Sequence, residues 1–227
     1  MPSVDPFEIK RSPKWSPNRL LWTARMRWEE QRSRNNFDKY EIELLKPRAA
    51  PGTSDVAQLS DTAVTPEQLQ CLLSALTELN TIPDAVAAEI GCYRGTTTQR
   101  LAEHTSRQLI AIDPYIGYGG WEQDYQVFKQ KTEALPNVIH ERRTSGDAAR
   151  HWKFPAPGFV FIDAVHDYAN TSFDLEVWSS LSIPGGLIAL HDTDNPSFAG
   201  TRRAAWEGQK TMDLYAHVND LVILRKR

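Results

Sequence analysis

Two short apolar runs, at residues 159–162 and 187–190, each end in an acid and a histidine. The four side chains are Asp163, His166, His191 and Asp192. Continuous apolar runs of this length are typical of buried parallel strands, and open α/β sheets bind ligands at the carboxyl ends of their strands. We therefore expect one crevice that holds two carboxylates and two imidazoles. Carboxylates bind hard divalent cations, and imidazole exchanges protons near neutral pH.

A glycine-containing turn earlier in the chain is suited to a nucleoside ligand. Residues 85–90 are predicted to form a strand, and Gly91 and Gly95 allow a tight turn into a helix that begins at Thr96. Asp113 ends the next predicted strand, where a carboxylate can accept hydrogen bonds from both hydroxyls of a ribose. The glycine spacing differs from the G-x-G-x-x-G fingerprint of dinucleotide-binding proteins. A nucleoside-type cofactor is therefore expected beside the first strand.

Strands and helices alternate in the remainder of the chain. The sequence predicts strands at 85–90, 108–113, 137–142, 158–163 and 186–192, and helices at 96–103, 121–133, 146–152, 170–181 and 199–207. Residues 212–218 and 220–226 are predicted to form a hairpin around a tight turn at Asn219 and Asp220. This alternation indicates a doubly wound, mostly parallel α/β sheet, and the hairpin requires the last strand to run antiparallel.

We predict an N-terminal extension at residues 1–60 and a main domain at 61–227. The first 15 residues contain three prolines and are expected to be irregular. Residues 46–60 lack periodicity and resemble a linker. The sequence Thr65-Pro66-Glu67-Gln68 is a capping-box start signal for a helix whose leucines would face the core. The main domain therefore begins close to this signal.

A helix is predicted over residues 16–35, because Ser16 and Pro17 form a start signal. One of its faces is apolar, and the others carry arginines. The apolar residues are Leu20, Leu21, Ala24 and Trp28. This apolar face is expected to pack on the domain or on a second subunit, which would make the protein a homodimer or a higher homo-oligomer. Alternatively, the arginines could meet an anionic substrate or RNA.

The composition favours a protein of the reduced cytoplasm. The net charge of −3 over 227 residues argues against a dedicated nucleic-acid binder, although residues 1–50 carry eleven Lys and Arg against seven Asp and Glu. Cys71 and Cys92 lack the spacing of metal or redox sites. The N-terminus lacks the apolar core of a signal peptide, and no run is long enough to span a bilayer, so no membrane association is expected.

The turn after the first strand resembles the first motif of class I S-adenosylmethionine-dependent methyltransferases, E-x-G-x-x-x-G-x-[ST]. Residues 65–227 are most similar to metal-dependent small-molecule O-methyltransferases, such as the catechol and macrolide-sugar enzymes. The resemblance implies a Rossmann-like sheet of seven strands. It also implies cofactor contacts by Glu89, Gly91, Tyr93 and Thr97 with the methionine part, by Gly95 in the same turn, by Asp113 with the ribose, and by Ser145 and Gly146 with the adenine.

The same resemblance implies a metal-assisted reaction. Asp163 and His166 match the family's spacing of metal ligand and general base, so His166 is expected to take the proton of the acceptor. Asp192 matches the second metal position, and Mg²⁺ is the expected ion, with Mn²⁺ or another divalent ion as the alternative. His191 departs from the family, which has two acids or Asp-Asn at this pair. It could be a ligand, which would favour a softer ion such as Mn²⁺, Fe²⁺ or Zn²⁺. Alternatively, it could hydrogen-bond the substrate while Asp192, with Thr193 or Asp194, faces the metal.

These features predict an S-adenosylmethionine-dependent O-methyltransferase that acts on a hydroxyl of a small molecule, such as a sugar or phenol of a natural product. Residues 115–121, rich in glycine and aromatic side chains, are expected to form either a surface loop or a flap over cofactor and substrate. RNA or protein is an alternative acceptor. A non-haem iron oxygenase that uses His166, His191 and an Asp is a further alternative, although such sites usually occupy a β-barrel. A cofactor-binding regulatory domain would not need paired acid and imidazole.

Overall fold

The predicted apolar runs form a seven-stranded sheet. The structure, a computed structural model, describes residues 4–46, 59–117 and 120–227. The strands are β1 Val86–Ile90, β2 Leu109–Ile112, β3 Val138–Glu141, β4 Pro157–Ile162, β5 Leu187–Leu190, β6 Met212–Val218 and β7 Leu221–Lys226. Their order in the sheet is β3-β2-β1-β4-β5-β7-β6. β1 to β5 run parallel, whereas β7 runs antiparallel to both of its neighbours. The predicted fold class and its antiparallel hairpin are confirmed.

Helices cover both faces of the sheet. They are α1 Pro6–Arg11, α2 Pro17–Asn35, α3 Pro66–Leu79, α4 Thr96–His104, α5 Glu122–Thr132, α6 Ser145–Arg150, α7 Tyr168–Leu181 and α8 Ala199–Gly208. One core packs α3 and α4 against a sheet face that presents Ala87 and Phe161. The other core packs α6, α7 and α8 against Ala88 and Ile162, because successive strand residues point to opposite faces. Within the described ranges, no helix is both long and apolar enough to cross a membrane.

The strand order places the carboxyl ends of β1, β4 and β5 side by side and in register. Gly91, Asp163 and His191 are the residues that directly follow these three strands. Gly91 has a φ of +87°, and a Cβ atom there would lie 2.0 Å from the backbone carbonyl oxygen of Asp163. Only glycine fits such a close approach. The turn after β1 therefore lies directly against the first acid of the predicted crevice.

The expectation that residues 1–15 are irregular is wrong for the segment that forms α1. Asp5 caps this helix, because its carboxylate accepts a hydrogen bond from the backbone N–H of Phe7 at 2.8 Å. Pro6 occupies the first helical position. An N-cap acid followed by proline is the same kind of signal that predicts α2 and α3 correctly. The sequence thus contained the information for this helix.

The domain boundary near residue 60 stays a prediction. Residues 47–58, most of the predicted linker, lie outside the described residues. On the N-terminal side of that segment, Leu45 exchanges two backbone hydrogen bonds with His217 of β6, at 3.1 and 2.8 Å. On the other side, Asp61 pairs with Arg94 at 3.0 Å. Both flanks of the predicted linker therefore contact the main domain.

Helix α2 packs on the domain through its polar side. Arg203 of α8 contacts the carboxylate of Glu29 at 2.8 Å, and Arg203, Glu29 and Ser33 are all buried. A buried guanidinium must be paired, so α2 turns an acid inward. The predicted apolar face points away, with exposed fractions of 54% at Leu20 and 71% at Leu21. The prediction that this face packs on the domain is wrong, and its burial against a second subunit stays a prediction.

Candidate active site

The four acid and imidazole side chains at the ends of β4 and β5 form one cluster. His166 Nε2 lies 3.2 Å from Asp163 Oδ1 and 3.0 Å from Asp192 Oδ2. His191 Nδ1 lies 3.6 Å from Asp163 Oδ1 and 3.3 Å from Asp192 Oδ2. Each carboxylate therefore lies between two imidazoles. The strand order alone accounts for this meeting, since β4 and β5 are neighbours in the sheet.

The acids and the histidines of this cluster shift each other's protonation. Burial alone would raise the pKa of Asp163, but its interactions with His166 and His191 outweigh burial and lower it to about 2. The pKa of Asp192 is lowered for the same reasons. Burial alone would lower the pKa of each histidine, yet the two carboxylates raise that of His166 to about 9 and that of His191 to about 10. The two carboxylates thus favour a positive charge between them, which an imidazolium or a bound cation can supply.

His191 is the most buried member of the cluster, with 2% of its surface exposed. Its Nε2 donates a hydrogen bond to Oε1 of Gln68 in α3, at 3.3 Å. The same oxygen accepts from the backbone N–H of Thr65 at 2.7 Å, as the predicted capping box requires, and is thereby fixed as an acceptor. A neutral His191 then carries its proton on Nε2, and Nδ1 presents a lone pair toward the carboxylates. Among the described residues, this Nδ1 has no hydrogen-bond partner.

The donor atoms of this cluster fit a divalent cation. One ligand atom from each of Asp163, His191 and Asp192 lies within 4.8 Å of the other two. Two carboxylate oxygens suit Mg²⁺ or Mn²⁺, and the imidazole nitrogen favours transition metals over Mg²⁺. Nδ1 of His191 makes no hydrogen bond to a described residue, although Asp192 Oδ2 lies 3.3 Å away, and it is the atom of a neutral His191 that a cation would contact.

The cluster opens into a cavity of about 620 Å³ that extends to the turn after β1. The predicted site residues that line it are Glu89, Gly91, Tyr93, Thr97, Asp113, Ser145, Asp163, His166 and Asp192. Three others, Gly95, Gly146 and His191, are not part of its lining. The volume is ordinary for a site that takes a small molecule and a cofactor.

Glu89, on β1, is a buried acid with an unused oxygen. Its exposed fraction is 1%, and Oε2 makes no hydrogen bond to any described residue. Burial raises the pKa of Glu89 to about 8, and the charges of Asp163 and Asp113 act in the same direction. A buried carboxylate without a cationic partner is unfavourable. A ligand that brings an ammonium group would therefore be stabilised here, which fits the methionine part of the expected cofactor.

Asp113 holds the turn after β1 in shape. Its Oδ2 accepts hydrogen bonds from the backbone N–H groups of Cys92 and Tyr93, both at 3.1 Å. Its Oδ1 accepts from the N–H of Tyr115 at 2.9 Å. A carboxylate offers about four acceptor positions, so three protein donors leave about one for a ligand. For Asp113 to contact both ribose hydroxyls, as predicted, one of these three hydrogen bonds from the backbone would have to break.

Ser145 lines the cavity and belongs to a buried polar cluster. Its hydroxyl donates to Oδ1 of Asp174 and accepts from the indole N–H of Trp178 at 2.7 Å. Burial raises the pKa of Asp174, which lines the cavity, to about 7. Gly146 lies against the N-terminal segment, since a Cβ there would be 2.1 Å from Oδ2 of Asp5. The predicted adenine contacts of Ser145 and Gly146 stay predictions.

The predicted flap is anchored at its first residue. Tyr115 is 3% exposed, and its hydroxyl donates to the backbone carbonyl of Tyr93 at 2.7 Å. At the other end, Trp121 is 61% exposed. Residues 118–119 lie outside the described residues. One side of the loop is thus hydrogen-bonded to the turn after β1, and the role of the loop over a substrate stays a prediction.

Sequence reasoning missed several residues of the site. Phe198 packs on His166, with 4.8 Å between ring centroids. Phe7, Asn170 and Asp174 line the cavity. No motif marks these residues as part of a site, so only the folded chain places them there. Gln68 carried a signal, the capping box, but that signal concerns the start of a helix and gives no indication of a contact with His191.

Part of the chain is similar to a known family of proteins. Residues 88–193, which contain the turn after β1 and the acid and imidazole cluster, match a family model described as a methyltransferase domain. No curated protein matches the sequence.

Solved structures share the fold at low sequence identity. The O-methyltransferase from Bacillus cereus in complex with SAH is 18% identical, with 74% of this chain and 84% of that chain covered and a TM-score of 0.56. A provisionally named O-methyltransferase from Klebsiella pneumoniae is 19% identical, with 98% and 95% covered and a TM-score of 0.55. TrmN from Thermus thermophilus is 17% identical, with 74% and 50% covered and a TM-score of 0.52. These similarities agree with the Rossmann-like sheet.

Proposed function

We propose that this chain is a class I S-adenosylmethionine-dependent methyltransferase and that it methylates a hydroxyl group of a small molecule. The observation that carries the proposal is the cluster of Asp163, His166, His191 and Asp192 at the mouth of the cofactor cavity. An alcohol or a phenol is a poor nucleophile at neutral pH. Its methylation therefore gains from a base and from positive charge near the acceptor oxygen, and this cluster can provide both.

The lining of the cavity supports S-adenosylmethionine as the methyl donor. Glu89 offers a buried carboxylate with a free oxygen to the ammonium group of the donor. Asp113 retains acceptor capacity for a ribose hydroxyl. The N-terminal end of α4, at Thr96 and Thr97, lines the cavity and favours the donor's carboxylate. The sulfonium methyl is already activated, so the protein has to hold donor and acceptor in line and to exclude water.

A divalent cation is part of the proposal. Carboxylate oxygens of Asp163 and Asp192, together with Nδ1 of His191, would hold it. The hydrogen bond from His191 Nε2 to Gln68 supports this assignment, because it leaves Nδ1 of a neutral imidazole free to bind. A cation held by these residues would supply Lewis acidity, which would lower the pKa of an acceptor hydroxyl. Mn²⁺ or Mg²⁺ is the proposed ion.

His166 is the proposed general base. Its side chain is 27% exposed and lines the cavity. Phe198 packs on its ring and keeps the imidazole at the cavity wall. Its two carboxylate neighbours raise the pKa of His166 to about 9, so His166 has to lose a proton before it can act as a base. A cation held by Asp163 and Asp192 would favour that loss, because it would neutralise the carboxylates.

RNA is a second candidate acceptor, because the outward side of α2 is basic. The exposed charged residues of this helix are Arg25, Arg27, Arg32 and Arg34. Its two acids face inward, since Glu29 contacts Arg203 and Glu30 accepts from the N–H of Tyr168. A basic stripe is the usual footprint of a nucleic-acid surface. The carboxylates beside the cavity favour the small molecule, because they would repel a phosphate backbone.

The test is methyl transfer from radiolabelled S-adenosylmethionine to a panel of phenols and sugars, with Mn²⁺ or with EDTA. His166→Gln should abolish transfer and leave the Kd for S-adenosylhomocysteine within about twofold, since the base is not needed for cofactor binding. The exposed His151 provides the control, and His151→Gln should change neither quantity. EDTA should stop transfer, and added Mn²⁺ should restore it.

Two results would overturn parts of this proposal. Transfer to tRNA but to no small molecule would favour the RNA alternative. Failure of the unaltered protein to bind S-adenosylhomocysteine would refute the assignment of the cofactor.

A further inference from the structure

Helix α1 closes one end of the cofactor cavity. Phe7 lines the cavity together with Thr144, Ser145 and Asp174. These residues lie at the end where Ser145 makes its buried hydrogen bonds with Asp174 and Trp178. The N-terminal extension, which lies outside the segment that matches the methyltransferase model, therefore contributes a wall to the site.

Arg150 fastens α1 to α6. Its Nη1 lies 2.9 Å from Oδ2 of Asp5, and its Nη2 lies 2.9 Å from Oε1 of Glu8. Asp5 is buried, and it flanks Phe7 on the N-terminal side as Glu8 does on the C-terminal side. Two parallel charge-assisted bonds from one guanidinium fix orientation as well as distance. Phe7, which lies between the two acids in the sequence, is thereby held against the cavity.

The contact between the two helices is close enough to require glycine. A Cβ at position 146 would lie 2.1 Å from Oδ2 of Asp5 and 2.9 Å from the ring of Phe173. Gly146 is thus explained by the approach of the N-terminal segment. It has no direct part in lining the cavity.

The orientation of a nucleoside donor in the cavity follows from its charged and polar groups. Glu89 offers its unused oxygen to an ammonium group, and Asp113 accepts from a hydroxyl of the ribose. The sulfonium methyl has to face the cluster that contains Asp163 and His166. The remaining group, the purine, is then left for the end that Phe7 closes.

We propose that Phe7 is a cofactor-binding residue whose ring forms the wall on which the adenine of the donor stacks, and that Arg150 is the positioning residue that holds it there. The inference rests on the proposed function. An aromatic ring at the face of a base contributes binding energy through stacking without any need for hydrogen bonds. The N-terminal extension then contributes to cofactor binding. The sequence of α2 had indicated only packing, a subunit contact, or contact with an anionic substrate or RNA.

Calorimetric titration tests the role of Phe7 without an acceptor. The two ligands are S-adenosylhomocysteine and 5′-deoxy-5′-methylthioadenosine, which keeps the adenosine and lacks the amino-acid part. Phe7→Ala should weaken both ligands roughly 5- to 150-fold, the range for loss of one base–aromatic stack. Phe7→Trp should stay within about twofold of the unaltered protein, whereas Phe7→Leu should weaken both, because a leucine fills space without stacking. Trp15→Ala is the matched control, since Trp15 is 78% exposed in the same extension.

A double variant tests the role of Arg150. Arg150→Gln should weaken both ligands as Phe7→Ala does, and the two changes together should weaken them no more than the stronger single change. Thermal melts should show that each variant is folded. Fully additive losses would refute the positioning role of Arg150.

The results separate this inference from the proposed function. Unchanged affinity in Phe7→Ala, or full affinity in Phe7→Leu, would refute stacking while leaving the methyltransferase assignment intact. If the unaltered protein binds neither ligand, the proposed cofactor itself is wrong.

Discussion

Replacing Glu89 by glutamine removes a buried negative charge and preserves the size of the side chain. Glu89 is 1% exposed, its Oε2 has no partner among the described residues, and burial raises its pKa to about 8. The empty protein therefore holds Glu89 mostly protonated at neutral pH. An ammonium group of a bound donor selects the ionised form. Binding should release a proton from the unaltered protein and none from position 89 of the Glu89→Gln variant.

The size of the effect depends on pH. A hydrogen bond to a charged group contributes about 1.5–3 kcal/mol. Ionising Glu89, with its pKa near 8, costs about 2.7 kcal/mol at pH 6 and about 0.7 kcal/mol at pH 7.5, at about 1.36 kcal/mol per pH unit. The variant should therefore bind S-adenosylhomocysteine roughly 4- to 50-fold more weakly at pH 7.5 and about as well as the unaltered protein at pH 6.

Calorimetry in buffers of different ionisation enthalpy measures both the affinity and the released proton. The affinity of the unaltered protein should rise with pH from 6 to 7.5, and that of Glu89→Gln should stay flat. 5′-Deoxy-5′-methylthioadenosine has no ammonium group and should bind both proteins equally at either pH. An equal loss for both ligands, or a pH dependence that survives in the variant, would refute the pairing of Glu89 with the ammonium.

Three further predictions concern stability and assembly. Burial raises the pKa of Asp174 to about 7, so the stability that its protonated form provides is complete below about pH 4 and is lost as the pH rises through 7. Asp174→Asn, which can still accept from Ser145, should therefore raise the Tm at pH 8 relative to the unaltered protein and should flatten its fall between pH 5 and 8; an unchanged fall would contradict a buried acid. Gly91→Ala should lower the free energy of unfolding by about 3 kcal/mol or more, because the positive φ of Gly91 and its approach to the Asp163 carbonyl both exclude a Cβ. Urea denaturation without added cofactor measures this free energy. If the apolar face of α2 is a subunit contact, Leu21→Glu should convert an oligomer to monomers in sedimentation velocity, and an unaltered protein that is already monomeric would exclude this contact.

Local signals predict most of the fold. The seven predicted strands lie within about two residues of the observed bounds. Central strands such as β4 and β5 are apolar runs, which is the pattern of a strand buried on both faces. The meeting of Asp163 and Asp192 could also be predicted, since parallel strands end at the same edge of a sheet. Helix α1 was predictable in the same way from Asp5 and Pro6, because an N-cap acid followed by proline is a start signal.

Contacts between distant segments explain what the sequence could not predict. Arg203 determines which face of α2 packs on the domain. It is buried, so it needs an acid from the helix that covers it, and Glu29 of α2 provides that acid. The proton position of His191 is decided by Gln68, 123 residues away. The wall formed by Phe7 depends on Arg150 in the same way. None of these pairs leaves a periodic or spacing signal in either segment.

β7 is synthesised after every other strand of the sheet, yet it lies inside the sheet, between β5 and β6. The turn before it also supports the segment that follows Asp192, since Thr193 and Asp194 donate their backbone N–H groups to Asp220 at 3.0 and 2.6 Å. While a ribosome is still making residues 221–226, β5 has an open edge and this segment lacks its support. A nascent chain at that stage exposes an unpaired strand that can aggregate. A frameshift within β7 should therefore leave β5 with an open edge and lower the stability of the fold.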